Sequence, residues 1–282
     1  MNEGKKSIAI LYIATGPYIA FWNNFFDSFE KYFLKETEVH YYVFTDAKTF
    51  YNSSNSRVHI IEQKAEPWPL PTLLKFHRFL EIRDELIKYD YIYQSNANII
   101  CTKAVKEADF LPQINSEEKL MFTLHPGFYN RPKYEWPYDR NKQSGAYVPF
   151  NKGDNYVFGA MNGGCSKEYI DFISELNKGI TEDLKNNRIA LWHDESWVNK
   201  SIIGRRDYRL LHPGFCYPVG FEVPYEKIIS GVSKMDVFDV KTFKGDYDEI
   251  MDFKQKICRE FRKYSKKIII KLCYIKDSIF NK

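Results

Sequence analysis

Short β-rich runs at residues 7–14 (SIAILYIA), 39–45 (VHYYVFT) and 57–61 (RVHII), with a further one from Tyr91 to Gln94, are separated by stretches of helical periodicity. Ile19, Trp22, Phe26, Phe29 and Phe33 recur three or four apart and give one apolar face. Leu73, Phe76, Leu80 and Ile87 predict a second such helix before Tyr91. Strands alternating with amphipathic helices predict an α/β fold with a Rossmann-like, mostly parallel sheet, which binds ligands beyond the carboxyl ends of its strands. Thr15 to Tyr18, Thr45 with Asp46, and Asn96 with Asn98 all fall at such ends and are expected to line one nucleotide cleft.

From Phe122 onward the chain is rich in Tyr, Trp, Pro and Gly, and KGDNYVFGAMNGG reads as a site built on loops. Aromatics mixed with small residues suit a sugar, whose apolar faces stack on rings while its hydroxyls need hydrogen bonds. The pentapeptide LHPGF occurs twice, at Leu124 and Leu211, but its flanks differ, so no domain repeat is indicated.

At 282 residues and 44% hydrophobic content the chain can bury a full core. Its five cysteines are scattered without a C-x-x-C pair, which argues against a disulfide framework or zinc cluster and for a reducing, cytoplasmic setting. The apolar run after Lys5 and Lys6 is too short to span a membrane and lacks a small-residue cleavage site, so it reads as a core strand. The net charge of +4 is uneven: residues 254–282 hold ten Lys or Arg against Glu260 and Asp277, leaving the preceding body at −4. That balance argues against nucleic acid as a partner of the folded part. We divide the chain into a catalytic domain, 1–245, and a basic amphipathic helical tail, 246–282. The tail suits peripheral attachment to an anionic membrane surface, or packing on the domain.

Asn96 and Asn98 pose a chemical question. Two carboxylates at that spacing would suggest a divalent metal, but amides supply no negative charge, and Asn also serves as an ordinary strand terminator. No G-x-G-x-x-G, P-loop, H-E-x-x-H or G-x-S-x-G pattern is present.

The segments HYYVFTD, TLHPGFY, QSGAYVP, GDNYVFGAMNGG and LWHDESWVNK, in this order, resemble glycosyltransferase family 6, which includes the mammalian histo-blood-group A and B transferases and the α-1,3-galactosyltransferases. The resemblance runs from about Ile8 to about Gly220 and implies the GT-A fold. It also implies transfer of GalNAc or Gal from a UDP-sugar to O3 of an acceptor galactose with retention, and a fucosylated, H-type acceptor. Vertebrate members carry D-x-D for Mn²⁺ where this chain has Asn96, Ala97 and Asn98. The departure resembles the bacterial branch and implies catalysis without a metal or other cofactor.

Carried over residue by residue, Glu195 of WHDES matches the catalytic glutamate, as nucleophile or as stabiliser of the cationic anomeric carbon. Asp194 matches a residue holding donor-sugar hydroxyls. His193 and Trp192 shape the pocket. Taken alone, HDES reads by default as a helix entry with Asp194 as its cap, and it is the family pattern around it that reverses this. Ile13, Thr15 and Tyr18 match the nucleotide pocket, with Tyr18 placed to stack on uracil. Arg78 and Lys234 are the cations expected at the diphosphate. Gly159 and Ala160 match the positions that distinguish GalNAc from Gal donors; Ala160 leaves less room than glycine, while the likeness to A-type enzymes favours GalNAc. His125, Trp192, Tyr138 and Glu195 are expected to face the acceptor, with Trp136 beside them. Two other readings stay open: a UDP-Gal-dependent α-1,3-galactosyltransferase, and a non-catalytic nucleotide-sugar or glycan-binding protein.

Overall fold

The computed structural model of this protein describes residues 5–113 and 116–239; the basic tail and the boundary at 245 lie outside the described residues. Its strands are β1 Ser7–Ile13, β2 Glu38–Thr45, β3 Val58–Glu62, β4 Tyr91–Ser95, β5 Ile99–Cys101, β6 Leu120–Leu124, β7 Val157–Cys165, β8 Tyr208–Leu211 and β9 Ile229–Gly231. Seven form one sheet in the order β3-β2-β1-β4-β7-β6-β8, and β5 pairs with β9 in a separate ribbon. Every pairing in the large sheet is parallel except those of β7, which runs against β4 and β6.

Alternation along the strands builds a core on each face. Ile8, Ile10, Tyr12, Tyr41, Val43 and Tyr93 point to one side, where the helix Trp22–Tyr32 lays Trp22, Phe25, Phe26 and Phe29 against them. Ala9, Leu11, Phe44, Ile92, Leu120 and Phe122 point to the other, covered by Lys75–Glu81 and Ser166–Lys185. No helix among the described residues is long and apolar enough to cross a membrane.

Two sequence expectations need correction. The stretch before Tyr91 is not one helix but three short pieces, Leu70–Leu73, Lys75–Glu81 and Arg83–Leu86. The backbone leaves helical values at Ile82 (φ −112°, ψ 20°), which resets the phase. Leu86 is therefore buried and Ile87 is 47% exposed. The glycine-rich GDNYVFGAMNGG is likewise not a loop site: from Val157 it is β7, central in the sheet. Its glycines reflect close backbone approach, since a β-carbon on Gly163 would collide with the Ile92 carbonyl oxygen and one on Gly164 with that of Lys119.

Candidate active site

Because six of the seven strands run the same way, the residues following β1, β2, β4, β6 and β8, together with the start of β7, share one edge of the sheet. Thr15, Asp46, Asn96, His125 and Gly159 are all on it. The β1 and β2 ends are tied together: the Gly16 N–H donates to Asp46 Oδ1 (2.8 Å) and the Thr45 hydroxyl to the Ala14 carbonyl (2.7 Å). Ile13 closes β1 half-buried, and Thr15 is buried beyond it. Tyr18 lies partly buried in the 3-10 turn Gly16–Phe21, with the Lys234 ammonium 5.2 Å from its ring centroid and Phe238 edge-on at 5.1 Å. At the β4 end the buried Tyr12 hydroxyl donates to the Ala97 carbonyl (3.1 Å), and Asn96 is half-exposed at the mouth. Asn98 Nδ2 donates to the Val232 carbonyl (2.7 Å).

The acidic pair enters from the helix Asp194–Ser201, directly after His193, whose φ of 52° is unusual for a side chain of that size. Glu195 is fixed at both oxygens: the Tyr156 hydroxyl donates to Oε1 (2.8 Å) and the Gly159 N–H to Oε2 (3.0 Å). Gly159 must be glycine, because a β-carbon there would lie 2.6 Å from Glu195 Cβ. Burial raises the Glu195 pKa to about 7, against the lowering effect of its two donors. Asp194 does not cap its helix. Its Oδ2 meets Lys75 Nζ at 2.5 Å, with both side chains about 10% exposed. The Gly159 carbonyl accepts from Lys75 (3.3 Å), Gln94 (2.7 Å) and Asn162 (2.8 Å), so the strand end beneath Glu195 is held on both its polar groups. Ala160 follows it, half-exposed.

On the other side of Tyr156 lies His125. Its Nδ1 accepts from the Gly127 N–H (3.0 Å), which leaves the proton on Nε2, and burial lowers its pKa to about 4. It is thus a neutral donor, on the wall of a cavity of about 560 Å³ lined by residues 125–131 and 221–223.

The structure brings Thr15, Tyr18, Lys234, Asn96 and Asn98 to one part of the edge and Gly159, Glu195, Asp194 and His125 to the adjoining part. It does not bring all the expected residues there. Tyr138 is 2% exposed, donates to the Asn155 carbonyl (2.8 Å) and packs on Trp136 and Tyr156; it is a core residue rather than an acceptor contact. Arg78, expected at the diphosphate, has its charge taken up instead by Glu66 (3.1 Å) and Glu81 (3.3 Å). Lys75, three residues earlier, is the cation at that pair, and sequence reasoning missed it; the signal was a lysine inside an apolar run, LLKF. Trp192 is 50% exposed on the rim, and His193 sits edge-on to Trp68.

The sequence profile of glycosyltransferase family 6 matches residues 2–235. The chain is 36% identical over 192 residues to the O-antigen biosynthesis glycosyltransferase WbnI of Escherichia coli, covering 68% of this chain and 80% of that protein. It is 25% identical over 242 residues to the globoside alpha-1,3-N-acetylgalactosaminyltransferase 1 of Gallus gallus, covering 82% of this chain and 67% of that one. To the histo-blood group ABO system transferase 2 of Rattus norvegicus it is 26% identical over 218 residues, covering 75% and 63% respectively.

Proposed function

This chain belongs to glycosyltransferase family 6, and from that membership we propose that it moves GalNAc from UDP-GalNAc to O3 of an acceptor galactose, fucosylated as in H-type glycans, with the α configuration retained and without a metal ion. The observation that carries the reading is the Glu195 carboxylate, held by Tyr156 and Gly159 at the carboxyl edge of a mostly parallel, GT-A-like sheet. Departure of UDP leaves an electron-poor anomeric carbon, and a carboxylate fixed at both oxygens beneath it acts as nucleophile or as electrostatic partner without reorganising. Asp194, charge-balanced by Lys75, is assigned to the donor-sugar hydroxyls. His125 offers Nε2–H to the acceptor. Growing charge on the diphosphate is met by Lys234 and by the Asn96 amide, a chemistry that needs no hard cation. A second reading, UDP-Gal as donor, is favoured by one observation: Ala160 carries a methyl where glycine would leave space for an N-acetyl group.

The test is incubation with UDP-GalNAc or UDP-Gal and a panel of fucosylated and unfucosylated galactosides in EDTA, read by mass spectrometry. The expected product is the acceptor plus one N-acetylhexosamine. Activity that appears only with added Mn²⁺ overturns the metal-free reading, and no UDP release with or without acceptor leaves a binding protein.

A further inference from the structure

The side chain of Asn98 is already employed. Its Nδ2 donates to the Val232 carbonyl at 2.7 Å, while the Val232 N–H donates back to the Asn98 carbonyl at 2.8 Å. The orientation of the amide follows from chemistry, since only Nδ2 can donate to that carbonyl. This pair of hydrogen bonds extends the β5–β9 ribbon, in which Ile99 faces Gly231, by one residue on the side of the cleft. It fixes the backbone two residues before Lys234, whose ammonium lies at Tyr18. On the other flank, the Tyr12 hydroxyl holds Ala97 from the floor of the sheet.

A carboxylate at 98 could not do this. It would place an acceptor 2.7 Å from another acceptor, and repulsion would open the clasp. Conversely, an amide at 98 cannot hold a hard divalent cation with its charge. The two arrangements exclude one another at a single side chain.

We propose that Asn98 is a positioning residue: its amide clasps the segment carrying Lys234, so that the substitution which removes a metal ligand also seats the cation that takes the metal's place. This rests on the reading of Lys234 as a diphosphate partner. The consequence is that restoring a carboxylate at 98 does not restore a metal site; it releases Lys234.

The test is UDP binding by calorimetry to the full-length protein in EDTA, in a double-mutant cycle. Lys234→Gln removes one charge-assisted contact and is expected to weaken UDP roughly 10- to 100-fold. Asn98→Ala and Asn98→Asp should each weaken it by roughly 3- to 10-fold in the parent protein, yet by less than about twofold in the Lys234→Gln background. Mn²⁺ should not recover Asn98→Asp. Thermal unfolding checks that each variant is folded. Equal losses in both backgrounds, recovery of Asn98→Asp by Mn²⁺, or failure of both Asn98 variants to fold would each overturn the proposal. If Lys234→Gln binds UDP as the parent does, the diphosphate role of Lys234 is what has failed; if the parent itself binds no UDP, the nucleotide-sugar reading has failed.

Discussion

Glu195 combines two properties that a sequence cannot show together: both its oxygens are bonded, and burial lifts its pKa to about 7. Glu195→Gln keeps an acceptor for Tyr156 but sets an N–H against the N–H of Gly159. Turnover should fall by at least roughly 10²-fold with donor KM little changed, since the carboxylate acts mainly in the transition state. On the proposed mechanism Glu195 must be ionised in the free enzyme, so kcat/KM should rise with pH through about 7, and that limb should be absent from the residual activity of the Gln variant. His125, titrating near 4, adds no limb above pH 5. Stability moves the other way. A carboxyl whose folded pKa lies above its ordinary value of 4.5 makes the native state bind the extra proton, so this contribution is full below that value and declines as pH rises through 7. Glu195→Gln should flatten that slope in urea titrations at pH 5 and pH 8. At Lys75, Lys75→Met would strand Asp194 in a site about 10% exposed, at a cost of about 3–5 kcal/mol by chemical denaturation. Arg78→Met, on the half-exposed flank, should leave activity near normal.

The glycines of β7 are there for the neighbouring strands. Gly163→Ala forces a β-carbon onto the backbone of β4, which cannot move aside as a side chain can, and should cost about 3 kcal/mol, the upper end of ordinary overpacking. Gly204 has φ 79° and nothing within 4 Å of a β-carbon, so Gly204→Ala should cost only the left-handed backbone, about 1 kcal/mol. Denaturant midpoints of the two variants compare them directly. The repeated LHPGF also finds its reason among the strands. β6 and β8 are parallel neighbours with Thr123 opposite Leu211, so each copy leaves the same edge of the sheet. The two turns are built alike: Nδ1 of His125 accepts from Gly127, and Nδ1 of His212 from Gly214. The repeat is one turn used twice, not a duplicated domain.

The basic segment 254–282 gives the chain its positive charge although the body carries the opposite sign. Its sequence pattern predicts binding of full-length protein to liposomes containing anionic lipid, weakened by salt and absent from a chain ending at Phe253; each basic residue near such a surface contributes about 1 kcal/mol. Full-length protein that stays in the supernatant would leave a helix packed on the domain. For the rest of the molecule, apolar periodicity and strand composition were enough to set the order of the strands up to β4 and to place Thr15, Asp46 and Asn96 at one edge of the sheet, because both depend on local preferences and on the handedness of parallel crossovers. The motif WHDES pointed to Glu195, and the structure shows its two oxygens bonded by Tyr156 and Gly159. Other features required the tertiary structure. Tyr138 is interior because Tyr156 and the Gly153 turn close over it, and the Gly-rich segment is a strand because β4 and β6 press against it on both sides. Lys75 rather than Arg78 meets Asp194, and Asn98 fastens the chain ahead of Lys234, across 134 residues of sequence in the case of the Asn98–Val232 bond. Pairings of that kind are made between surfaces that meet only after the sheet has formed, and no local pattern carries information about which side chains will face one another there.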